Sequence, residues 1–218
     1  MPADTEQART AAAHEAAQAH GGQAMPAAAA QHGPPAAPAQ AAAQPDKWTA
    51  LRYFVVSQIG WFACVLSAAH GHPAWGVAVT AVIVAWHLRR VPRPALEARV
   101  VLAAMAIGAV WESGLCDFGL LVYPNGILIP GTAPYWMLAL WALFALTLNT
   151  TFRWLHGRVL LGAVLGAVCG PLSFSAGARL GAVQFHPPLL ALTALALGWA
   201  VLIPGLVAIA QHWDGSRS

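Results

Sequence analysis

From residue 51 onward the chain is laid out as apolar blocks of about 20 residues, the length of helix that crosses a bilayer core, joined by short polar or basic stretches. Six blocks are read, at 51–69, 74–90, 97–117, 134–153, 158–182 and 188–211. Composition agrees with that reading. Charged residues make up 9% of the chain and apolar residues 58%, and mean hydropathy is +0.59. A water-soluble domain carries roughly 25% charged residues, so this chain could not clothe a surface that faces water. The expected fold is an all-α membrane protein, a six-transmembrane-helix bundle spanning residues 47–213.

Residues 1–46 differ from the rest. They are rich in Ala, Gln and Pro, with few large apolar side chains. Such a segment buries too little surface to offset its ordering entropy and is read as a disordered N-terminal tail. It lacks the basic start and Leu-rich centre of a secretory signal. The net charge of +3 is distributed beside the apolar blocks and forms no basic patch with interleaved aromatics, so no nucleic-acid partner is expected. The basic residues read as topology signals instead. With the tail cytoplasmic, Arg9, Lys47, Arg52, Arg89, Arg90, Arg93, Arg99, Arg153, Arg158 and Arg217 fall inside and only Arg179 outside. That asymmetry predicts N-in and C-in.

The fifth block carries Gly162, Gly166 and Gly170, with Gly177 and Gly181 repeating the spacing. Small residues four apart share a helix face and let another backbone approach. The ridge is read as the packing face of a central helix, with a homo-oligomer seam or a break lining a substrate cavity as the alternatives. Pro171 removes a backbone donor and predicts a kink or break there. Between the third and fourth blocks, Pro124-Asn125-Gly126 separates two short apolar arms and predicts an outer-surface hairpin or a shallow re-entrant piece.

Ionisable and amide groups within apolar helices are costly and mark candidate functional positions. Glu112 is the deepest acid, roughly 20 Å across the bilayer counted from Arg99. Asp117 and Arg179 both reach the outer edge, where they could pair. Gln58 and Asn149 each need an interhelical partner, and Ser173 follows the Gly170-Pro171 step. The outer-loop residues His70, His72 and His186, with Cys116 and Asp117, include metal-ligating residue types but no fixed ligand spacing. His87 and His156 are read as flanking residues at the opposite interface. Cys64, Cys116 and Cys169 are dispersed within apolar blocks and form no disulfide framework. There is no phosphate-binding loop, dinucleotide fingerprint or nucleophile elbow, and no cofactor or resident metal is expected.

The ordered set Gln58-Ile59-Gly60-Trp61-Phe62, Asp117, Pro134-Tyr135-Trp136-Met137, Leu140-Trp141, Leu148-Asn149 and Gly170-Pro171-Leu172-Ser173 resembles the bacterial membrane family catalogued as domain of unknown function 2878. The resemblance covers residues 48–212. It implies a multi-pass bacterial inner-membrane protein and, by association with lipid-modifying enzymes, a role in membrane-lipid modification. Gln58, Asp117, Asn149 and Ser173 are the polar positions within it. Three functions stay open. One is a scaffold or lipid-handling partner, binding membrane lipids and lipid-modifying enzymes. Another is a small transporter or flippase using Glu112, Asp117 and Arg179. The third is an integral-membrane lipid-modifying enzyme using Asp117 and the outer histidines.

Overall fold

The computed structural model describes residues 47–215. The expected tail, residues 1–46, lies outside the described residues. Six helices follow: α1 (Lys47–Ala69), α2 (Pro73–Leu88), α3 (Pro94–Asp117), α4 (Tyr135–Leu148), α5 (Val159–Arg179) and α6 (Pro188–His212). A short 3₁₀ turn, Arg153–Leu155, joins α4 to α5. Proline opens α2, α3 and α6, where its missing N–H costs no intrahelical bond.

Four helices, α1, α3, α5 and α6, are long and apolar enough to cross a membrane, while α2 and α4 are shorter apolar helices. Large apolar side chains cover the outside of the bundle: Leu160 is 83% exposed and Val201 is 73% exposed. Water would not tolerate so extensive an apolar surface, but hydrocarbon requires one. The chain is an all-helical membrane protein.

The hub of the bundle is α4, not the glycine-rich fifth helix. Helix α4 packs on α1, α2 and α3 and touches α6, whereas α5 packs almost wholly on α6. Ten of its 14 residues are buried, so it is apolar all round, as an enclosed helix must be. Glycines set how closely its neighbours approach. A methyl group at Gly108 would run into the Trp141 indole, at Gly198 into Trp111, and at Gly76 into the Cys64 backbone. The ridge of Gly162, Gly166 and Gly170 seats α6, with Gly166 against the Trp199 carbonyl and Gly170 against its indole. Gly177 faces Val183, and Gly181 lies beyond the end of α5. Helix α5 runs unbroken through Pro171, so no break occurs there.

The predicted hairpin at 124–126 does not form from its own arms. Instead β1 (Leu121–Val122) pairs antiparallel with β2 (Gln184–Phe185), Leu121 opposite Phe185. Glycines in the left-handed region, Gly119 at φ 68° and Gly181 at φ 89°, end α3 and α5 and turn both segments into this pairing. The Asn-Gly step has another use. Asn125 Nδ2 donates to the Ala68 carbonyl at 2.9 Å, supplying a partner at the C-terminal end of α1. The Asn125 carbonyl in turn accepts from Trp136 Nε1 at 3.0 Å.

Candidate functional site

A cavity of about 390 Å³ lies along α4, with α1 on one side and α5 and α6 on the other. Its lining follows α4 from Met137 to Leu148, about 16 Å at 1.5 Å per residue. Helices α1 and α5 flank it without a packed seam between them. The walls are mainly aromatic and aliphatic, with Trp61, Trp141, Phe144, Phe174 and Trp199 among the rings that line it. Trp141 and Trp199 stack, with centroids 5.1 Å apart and planes 13° from parallel. The volume falls within the range of small-molecule pockets.

Polar groups are few in this cavity and several lack partners. Glu112, fully buried, lines it from α3. Tyr123 donates its hydroxyl to Glu112 Oε2 at 2.9 Å, while Oε1 accepts no hydrogen bond. The Trp141 indole lies beside the carboxyl without hydrogen-bond geometry to Oε1. Trp199 Nε1 and Thr151 Oγ1, also cavity-lining, are buried and unpartnered too. Tyr123 sits in the connection after α3, braced edge-on by Trp136 at 5.6 Å. Burial first, and the adjacent Glu112 carboxyl second, push its phenol well above the ordinary range, so it remains a donor.

A second buried polar cluster joins four helical segments near the other end of the bundle. The Tyr53 hydroxyl is 2.9 Å from His87 Nδ1, and His87 Nε2 is 3.4 Å from Glu97 Oε2. Asn149 Nδ2 donates to Glu97 Oε1 at 2.9 Å. His87, Glu97 and Asn149 are essentially inaccessible. Gly215 closes over Glu97, where any side chain would meet Glu97 and the Arg93 carbonyl. Nearby, Arg153 bridges Asp214 at 3.1 Å. One donor direction satisfies the chain of contacts: Tyr53 O–H to Nδ1, Nε2–H to Glu97, and Asn149 N–H to Glu97. The cluster ties α1, α2, α3 and the end of α4 together.

The family described as Protein of unknown function (DUF2878) matches residues 50–205. The chain belongs to that family. No curated protein and no solved structure matches it. In this member of the family, both polar clusters and most of the cavity lining fall within the matched residues.

The sequence-predicted residues separate into three groups. Gln58, Glu112 and Ser173 come together as cavity lining; Gln58 and Ser173 are exposed and make no interhelical hydrogen bond, contrary to the partner expected for Gln58. Asn149 has the expected interhelical partner, Glu97. Asp117 and Arg179 are exposed and do not pair, although β1 and β2 join the segments that follow their helices. Thus Glu112, Asp117 and Arg179 do not form one site. Among the described residues no group of three or more His, Cys, Asp or Glu is placed to hold a metal ion. The His70 ring contacts the Leu66 carbonyl, and the His72 ring contacts the His70 carbonyl.

Sequence reasoning missed His87, Glu97, Tyr53 and Tyr123. His87 had read as a flanking residue, yet it is buried against Glu97. A signal for the pair was available. His87 is a polar residue within an apolar block, and Glu97 opens the next block, across a short joint that returns the chain beside itself.

Proposed function

We propose that this is a six-span bacterial inner-membrane protein, N-in and C-in, whose cavity takes the acyl chain of a membrane lipid. It supports membrane-lipid modification as a lipid-handling partner and does not itself catalyse it. The cavity carries this reading: it is apolar, aromatic-lined, about 390 Å³, and flanked by two helices that do not close on each other. A chain entering from the bilayer meets walls that replace its hydrocarbon surroundings.

The topology is supported by the asymmetry of Lys and Arg, ten against one, and by an even number of helices. The short length of α4 is no obstacle. Its sides meet protein instead of lipid, so its length need not match the bilayer. A transport path through Glu112, Asp117 and Arg179 has less support, since the latter two are exposed and apart from the cavity lining.

Cys169 lines the cavity from α5, whereas Leu172 on the same helix does not. Cys169→Trp should lower the lipid recovered per purified chain, and Leu172→Trp should leave it at the wild-type level. Equal lipid in all three would remove the cavity as its holder. In a deletion strain, an altered lipid profile restored by wild type and not by Cys169→Trp would connect that occupancy to lipid modification. A profile unchanged by deletion would refute that link.

A further inference from the structure

Resting on that reading, the polar atoms of the cavity specify the end group of its occupant. Glu112 is fully buried, and its Oε1 is an unpartnered oxygen at the cavity wall. Trp199 Nε1 is an unpartnered N–H at the same wall. The Glu112 carboxyl lies beside the Trp141 indole, and the Trp199 ring stacks on that indole at 5.1 Å. A buried polar atom without a partner carries a desolvation cost that a suitable ligand relieves.

We infer that the cavity selects an amphiphile with an uncharged hydroxyl end, an aliphatic alcohol, held between Glu112 Oε1 and Trp199 Nε1. A hydroxyl is the smallest group that accepts from an indole N–H while donating to a carboxyl oxygen. A carboxylate or phosphate would satisfy Trp199 but carry its charge into an apolar cavity that no Lys or Arg lines, beside the Glu112 carboxyl. An ammonium would satisfy Glu112 and leave Trp199 without an acceptor. The aromatic and aliphatic walls take the chain behind the hydroxyl. Free long-chain alcohols and hydroxylated lipids such as diacylglycerol share this end group.

The test uses the full chain in phosphatidylcholine nanodiscs. Chain-brominated dodecanol, dodecanoic acid and dodecylamine are titrated separately, with brominated diacylglycerol in a parallel arm. Quenching of the cavity tryptophans reports occupancy. Wild type should bind dodecanol about tenfold more tightly than the acid or the amine, the discrimination of one buried hydrogen bond. Trp199→Phe keeps a ring in the stack and removes only the donor, so it should abolish that preference without abolishing quenching. Glu112→Gln should still accept from Tyr123 and turn an N–H toward the cavity, shifting preference toward the acid.

Diacylglycerol binding as tightly as dodecanol would make a lipid the source of the hydroxyl; dodecanol alone binding would make it a free alcohol. Equal binding of all three dodecyl probes to wild type would overturn the hydroxyl assignment while leaving the lipid-chain cavity intact. Failure of every probe to quench would overturn both.

Discussion

Replacing Glu97 tests whether the buried four-residue cluster holds the bundle by hydrogen bonding or by charge. In Glu97→Ala, His87 Nε2 and Asn149 Nδ2 lose their acceptors together. Asn149 Oδ1 is already unpartnered, so the whole amide is left without a hydrogen bond. Gly215 and the surrounding helices leave no route for water without local separation. Two orphaned groups at about 1–2 kcal/mol each, the upper part of what interhelical bonds in membrane proteins contribute, give about 2–4 kcal/mol. Glu97→Gln behaves differently. Its carbonyl accepts from Asn149, and its amide donates to Nε2 once the imidazole tautomer reverses and Nδ1–H donates to Tyr53. The cost should stay below about 1 kcal/mol. The assay is reversible unfolding in mixed micelles, followed by tryptophan fluorescence, with His87→Ala and the double variant completing a cycle. Equal damage from Gln and Ala would refute the hydrogen-bond argument and assign the cost to charge. So would a Glu97→Ala protein as stable as wild type.

Three further outcomes follow from other contacts in the bundle. Tyr123 is pushed above its ordinary value of 10.0, so its contribution is fully present below about pH 10 and is lost as pH rises toward the folded value. Tyr123→Phe should flatten that alkaline loss of stability and lower stability near neutrality by about 1 kcal/mol through loss of the Glu112 bond; an unchanged alkaline limb would count against it. Gly166→Ala should destabilise by about 1–3 kcal/mol, since its methyl meets the Trp199 backbone carbonyl, which cannot turn aside. Gly114→Ala, with open space around it, should be neutral or slightly stabilising; equal effects in the two denaturation curves would refute the close α5–α6 approach.

Much of the scaffold was legible in the chain. The six blocks correspond to the six helices, the N1 prolines mark three of their starts, and the resemblance named the family that residues 50–205 match. Those signals are local. Hydropathy, proline geometry and glycine spacing act within a helix or its ends, so they survive in one dimension. The glycine ridge seats α6 within a peripheral hairpin, where its spacing had suggested a central helix.

Partnership was not legible, because it depends on which helices are neighbours. Asp117 and Arg179 reach similar depths by counting yet do not pair, while His87 and Glu97 meet across a short joint and share Asn149, 52 positions beyond Glu97. The Asn-Gly step promised a local hairpin, but the strand found its partner in the last connection. Hydropathy and the ordered motifs specify a multi-helix membrane protein of this family and single out its polar residues. Packing makes α4 the hub, opens the cavity between α1 and α5, and leaves Glu112 Oε1 and Trp199 Nε1 without partners. Satisfaction of a buried polar atom is a property of the neighbours packed around it, and those neighbours come from distant parts of the chain.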